Sequence, residues 1–124
     1  MTNPFKDSAK FMTACEQSIT GMNEAQFKMY ADLITEEYNE LAEAIAAGDR
    51  VETLDALVDI LVVTIGAINS MGADAEGAWR EVMATNFAKI DRRSGKVLRR
   101  EDGKVLKPEG WQPPQLQNFL KREH

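Results

Sequence analysis

Cysteine is nearly absent from the 124-residue sequence. Cys15 has no partner for an internal disulfide, which excludes the stapled scaffolds of small secreted domains and suits a reducing compartment. Cys15 is read as a packing residue. Histidine is equally scarce: only His124, at the very end, is present. That excludes histidine-based zinc centres and the carboxylate di-iron bundles, which need Glu-x-x-His on two helices. Positive charge is in deficit, with 15 Lys and Arg against 20 Asp and Glu and a net charge of -5. General nucleic-acid affinity depends on neutralising phosphates with Lys and Arg, so no nucleic-acid partner is expected. Long hydrophobic runs are missing as well. The most apolar stretch, from Ala56 to Ile68, is shorter than the roughly 20 residues of a bilayer span and contains Asp59. No membrane partner is expected. The N-terminus shows no basic start, apolar run and small-residue cleavage site, so no signal peptide is expected and the compartment is read as cytoplasmic.

What remains is a globular composition, 44% hydrophobic and 28% charged, at a length that suits one domain over 1–124. Its punctuation is helical. Asn3 before Pro4 predicts the start of a first helix carrying Phe5, Met12, Cys15 and Ile19 on one face and ending at Gly21. Asn23 predicts the cap of a long helix through Ala47, stopped by Gly48. A third helix is expected from near Asp49 to Met71, before Gly72, and a fourth from the cap Asp74 to about Ile90. Beyond it, a Lys-Val-Leu unit on either side of Asp102-Gly103 predicts a small β-hairpin with a two-residue type I′ turn. Pro108, Gly110, Trp111, Pro113 and Pro114 then predict an extended tail, closed by a helical turn at Leu116, Phe119 and Leu120.

The second and third helices break their own apolar pattern. With Glu36 at zero and about 100° per residue, Leu33, Tyr30, Leu41, Ile34 and Ile45 cover an arc from about 60° to 180°. Glu37 falls inside that arc, at about 100°, and Glu40 on its edge, whereas Glu36 and Glu43 border solvent. The third helix is apolar on almost every side, which predicts enclosure by protein, yet Asp55 and Asp59 share one narrow strip that Glu52 extends by a turn. Inward carboxylates must be paired, protonated or bound to a cation, because an unpartnered buried charge costs several kcal/mol. Neither helix places Lys or Arg in its inward stripe, so a divalent metal is the expected counter-charge. All-oxygen ligands select hard cations, Mg²⁺ or Mn²⁺, and such sites commonly complete themselves with a substrate phosphate.

On the fourth helix, Trp79, Val82, Met83, Phe87 and Ile90 define an apolar face with Asn86 among them. Asn86 is read as a buried amide, either a satisfied core group or a contact to sugar, base or phosphate. Lys89 lies at the edge of that face, and eight of the fifteen basic residues fall between Lys89 and Lys107.

Glu36, Glu37, Glu40 and Glu43, followed by Asp55 and Asp59 on the next helix, resemble the MazG-like all-α NTP pyrophosphohydrolases, whose pattern is Glu-x-x-Glu and then Glu-x-x-Asp. Glu37, Glu40 and Asp59 match it; the second Glu position falls on Ala56, a departure that leaves Asp55 or Glu52 to compensate. The stretches from Trp79 through Asn86 to Lys89 and from Asp102 to Pro114 look like a subgroup common in phages and bacteria. The resemblance implies an all-α four-helix bundle and hydrolysis of a nucleoside triphosphate between its α- and β-phosphates, in the host cytoplasm if the chain is phage-encoded. It implies two or more Mg²⁺ ions, Mn²⁺ as an alternative, held by Glu37, Glu40, Asp55 and Asp59, with Glu36 or Glu43 as general base. Lys89 and a hairpin lysine, Lys104, would meet the leaving pyrophosphate, while Asn86 and Trp79 would hold sugar or base. A homo-oligomer, dimer or tetramer, is also implied, and a purine deoxynucleotide such as dGTP is the first substrate guess. Phosphoribosyl-ATP or a deoxyuridine nucleotide is the alternative substrate, and a non-catalytic metal-binding helical module is the rival from another class.

Overall fold

The structure, a computed structural model, describes residues 3–120. His124 lies outside them. Four α-helices, α1 (Pro4–Ala14), α2 (Glu24–Ala47), α3 (Arg50–Ser70) and α4 (Ala75–Phe87), are followed by a 3-10 turn at Leu116–Phe119. The caps explain the starts. Asn3, Asn23, Asp49 and Asp74 each adopt extended backbone and accept the amide of the residue three further on. Gly48, at φ 67°, ends α2 in the left-handed region, and a two-residue link then sends α3 back antiparallel along it.

The first helix ends a full two turns before Gly21. Cys15 is its C-cap, Glu16 takes a left-handed φ of 61°, and the amides of Glu16 and Gln17 donate to the carbonyls of Thr13 and Met12. This is a Schellman closure with glutamate where glycine is usual, so composition did not announce it. Cys15 is exposed rather than packed.

One core cluster is formed by Met12, Tyr30, Val63 and Ala67, with Ile19, Phe27, Leu33 and Ile34 around it. It joins α1, the first half of α2 and the second half of α3. The other half of the α2–α3 pair is open: Tyr38, Ile45, Val51, Leu54, Leu57, Val58, Leu61 and Val62 are all exposed. The expected enclosure of α3, and the burial of Ile45, are therefore not met within one chain. The extensive packing is α2 on α3, and α1 and α4 meet α3 over smaller areas, so four helices are present without closing a full bundle core.

The expected β-hairpin is not formed. Among the described residues there is no extended strand, only two isolated antiparallel bridges, Ile90 with Val97 and Arg99 with Val105. The reversal is a three-residue loop, Glu101 to Gly103, closed by the amide of Arg100 on the Lys104 carbonyl at 2.8 Å with Gly103 at φ 88°. Such loops place glycine in the left-handed position after a turn, which Asp102-Gly103 satisfies as readily as it would a two-residue turn. The tail then returns along α4 as a strap. The indole of Trp111 donates to the Thr85 carbonyl at 2.7 Å, the Gln115 amide to Glu81 at 2.8 Å, and Asp74 donates its amide to the Phe119 carbonyl at 2.9 Å.

Candidate functional site

The α2–α3 pair carries its acidic residues on the facing sides. Ala44 and Ala56, 7% and 3% exposed, let the helices approach closely. Glu37 and Glu40 from α2 thereby meet Asp55 and Asp59 from α3. Oε2 of Glu37 is shut off from solvent with no hydrogen-bond partner. Burial pushes the Glu37 carboxyl above the usual carboxylate range, and the hydrogen-bonded, like-charged Glu40 and then Asp59 and Asp55 add to it. Asp59 is raised in the same way, by burial first and then by Asp55 and Glu40.

Among the described residues, no cation pairs with these carboxylates. The ion pairs among the described residues are Lys28 with Asp32, Arg80 with Glu76 and Arg100 with Asp102, and none reaches the four carboxylates. Glu40 and Asp55 also line a cavity of about 330 Å³, together with Glu43 and Glu52 and a floor of Ala44, Ala47 and Ala56. Ala56 thus faces the acidic cleft, and its small side chain leaves open the volume that a longer acid would occupy. Glu36 is exposed and does not line this cavity, whereas Glu43 does.

As they stand, no three His, Cys, Asp or Glu side chains among the described residues are grouped closely enough to hold a metal ion. The carboxyls instead act on one another in pairs, Glu40 raising Glu37 and Asp55 raising Asp59. Oxygen-only donors, unrelieved negative charge and one orphaned buried carboxylate oxygen fit a hard divalent cation that takes its remaining ligands from water or phosphate.

None of the residues expected to contact substrate lines the acidic cavity. Asn86 is exposed, not buried: its side-chain oxygen accepts from the Lys89 ammonium at 3.2 Å. The helical-wheel reading assumed that the face of α4 was covered, but Trp79 and Phe87 on that face are 54% and 60% exposed. The Trp79 ring tilts against Phe5, with centroids 6.2 Å apart. Lys89 lies over the Trp111 ring, 5.0 Å from its centroid, and Lys107 shares that ring at 4.8 Å. Lys104 is exposed in the loop. Among the described residues, no hydrogen bond or ion pair connects these groups with the carboxylates.

Sequence reasoning missed the joint role of Trp111, Lys89 and Lys107. The indole is a polar-anchored post on which two lysines converge, and the only advance signal was an aromatic in the proline-rich tail. No helix among the described residues is long and apolar enough to cross a membrane. A family model described as phosphoribosyl-ATP pyrophosphohydrolase matches residues 9–86, from α1 to the end of α4. No curated protein matches the chain.

Proposed function

The chain belongs to the phosphoribosyl-ATP pyrophosphohydrolase family, part of the MazG-like all-α NTP pyrophosphohydrolase superfamily, and from that premise we propose that it hydrolyses the α–β phosphoanhydride of a nucleotide and releases pyrophosphate. The observation that carries this reading is the unrelieved acidic cleft between α2 and α3, together with the orphaned, buried oxygen of Glu37, one turn before Glu40. Phosphoryl transfer needs charge neutralisation and positioning more than covalent help from the protein. A cleft of unpaired carboxylates is suited to supply both through a cation.

Glu37, Glu40, Asp55 and Asp59 are the proposed holders of Mg²⁺, or Mn²⁺ in its place, with two or more ions per site. When bound, such ions offset phosphate charge and make water more acidic. Glu36, exposed and next to Glu37 in sequence, is the proposed general base that takes the proton of the attacking water; Glu43, which lines the cleft, is the alternative. Trp79 and Asn86 are proposed to hold base or sugar, and Lys89 and Lys104 to face the phosphates. The exposed apolar strip of α3 supports a homo-oligomer, dimer or tetramer, because a monomer rarely leaves so many large side chains uncovered. A cytoplasmic nucleotide pool is the proposed setting.

Phosphoribosyl-ATP is the first substrate to test, since the family match favours it. A (deoxy)nucleoside triphosphate is the second, supported by the resemblance of the segment after residue 86, outside the matched span, to the phage and bacterial subgroup. A panel of phosphoribosyl-ATP, the four ribo- and deoxyribonucleoside triphosphates and dUTP, assayed with Mg²⁺ for pyrophosphate and orthophosphate, separates the two. Pyrophosphate from at least one of them is expected. Turnover of none, or orthophosphate as the primary product, would reject the reading.

A further inference from the structure

The C-terminal strap is fastened along α4 by the Phe119 carbonyl on the Asp74 amide, the Gln115 amide on Glu81 and the Trp111 indole on Thr85. The last fastening lies at the end of the helix. There the amide of Lys89 closes on the Asn86 carbonyl at 3.0 Å, a 3-10 step, and that of Ala88 on Ala84 at 3.0 Å, so the Thr85 carbonyl lacks the amide four residues on. The indole N–H of Trp111 takes its place at 2.7 Å. A side chain 26 residues away in sequence thus completes the last turn of α4.

The same indole also meets the side chain of the residue whose amide it replaces. The Lys89 ammonium lies over the ring, 5.0 Å from its centroid, and donates to the Asn86 side-chain oxygen at 3.2 Å. Of the eight basic residues from Lys89 to Lys107, Lys89 is half-buried and the other seven are exposed. A solvated lysine spreads its charge over the many rotamers of a four-carbon stem, and any contact that depends on it must first gather them. Here they are gathered in advance. A carboxylate could also hold the ammonium but would cancel its charge, whereas a ring face and an amide oxygen are neutral and leave that charge available to an anion. Among the described residues Lys89 enters no ion pair. Lys107 lies over the same ring at 4.8 Å but is exposed.

We propose that Trp111 is a positioning residue for Lys89, fixing its backbone through the Thr85 carbonyl and its ammonium through the ring, so that the charge is in place when a substrate phosphate arrives. The inference rests on the reading that Lys89 faces the substrate phosphates, and adds to it a residue of the strap, outside the matched span 9–86.

The test is a double-mutant cycle, Trp111→Leu and Lys89→Ala singly and together, read as kcat/KM on the nucleotide of the panel that is turned over fastest. Trp111→Leu should lower kcat/KM by about fivefold, no further than Lys89→Ala does, and by less than about twofold once Lys89 is absent. Trp111→Phe, which keeps a ring face without the N–H, should fall between Trp111→Leu and wild type. Independently of turnover, in ¹³C-lysine-labelled protein the ring should shift the ε-protons of Lys89 upfield, the signal being identified by its loss in Lys89→Ala, and Trp111→Leu should return them to the ordinary position. Losses that multiply in the cycle, a Trp111→Leu loss greater than that of Lys89→Ala, unshifted Lys89 protons, or full activity in Trp111→Leu would each overturn the proposal. If circular dichroism shows Trp111→Leu to be unfolded, Trp111→Phe takes its place in the cycle, and its smaller loss must likewise vanish without Lys89. A wild-type chain that turns over none of the panel rejects the hydrolytic reading and this role with it, whereas an active chain with multiplying losses rejects this role alone.

Discussion

Tyr30 lies so close over Gly66 that a Cβ at that glycine would stand 2.3 Å from the ring carbon Cε1. The contact fixes the register of α2 against α3. Glu37 is seven residues after Tyr30, and Asp59 is seven before Gly66, so in an antiparallel pair two turns of each helix, about 10 Å, carry the two acids to the same level. Glycine is tolerated there, despite its helix cost, because nothing larger fits.

Gly66→Ala is therefore expected to destabilise the protein, although alanine is the better helix former. Overpacking costs about 1–3 kcal/mol, against a helix-propensity gain of about 1 kcal/mol. Urea unfolding should show a lowered midpoint, and activity should fall with the shifted carboxylates. An unchanged or raised midpoint would show that the Tyr30 ring moves aside freely.

The raised Glu37 and Asp59 carboxyls give the metal-free protein a definite pH dependence. Both bind their protons more tightly when folded than when unfolded, so stability is greatest below their unfolded values, 4.5 and 3.8, and declines as pH rises through the raised folded values. Asp91 and Asp102 are shifted down, and their smaller, exposed contributions are lost only as pH falls through their lowered folded values. Thermal unfolding in EDTA should fall in midpoint from mildly acidic to neutral pH. Glu37→Gln and Asp59→Asn should flatten that fall and raise the neutral-pH midpoint, and steeper or unchanged profiles would contradict the assignment.

The acid that compensates for Ala56 can be found by metal affinity. Asp55 is close enough to Asp59 to raise its carboxyl, whereas Glu52 is a turn further along the cleft. Asp55→Asn should weaken Mg²⁺ or Mn²⁺ binding by tenfold or more, and Glu52→Gln by a fewfold at most. The reverse order would move the ion site one turn towards the α2–α3 link.

Among the basic residues, Lys89→Ala is expected to lower turnover at least tenfold, about 1.4 kcal/mol in the barrier. A double substitution of Arg99 and Arg100 should leave turnover within a fewfold, since Arg99 is engaged with the Gly103 carbonyl and Arg100 with Asp102. A harmless Lys89→Ala beside a crippled arginine pair would assign the phosphate contact to the loop.

Helix starts were readable because each depends on one local side chain: Asn3, Asn23, Asp49 and Asp74 stand three residues before the amides they cap. The inward tilt of Glu37 followed from helical period alone. Asn86 was misplaced because a wheel reports which residues share a face and cannot report whether anything covers it. The same limit applies to α3, whose apolar circumference implied burial that one chain does not provide. Glu16 ended α1 through backbone hydrogen bonds invisible to composition, and the close approach of Tyr30 to Gly66 joins residues 36 apart, beyond any local pattern.

The central claim is attack at the α-phosphorus by water in the acidic cleft, and turnover in ¹⁸O-labelled water with Mg²⁺ tests it most directly. The wild-type chain should place one label in the nucleoside monophosphate and none in the pyrophosphate, and Glu37→Gln should form neither product at a measurable rate. Label in the pyrophosphate, orthophosphate as the primary product, or undiminished turnover by Glu37→Gln would contradict the account.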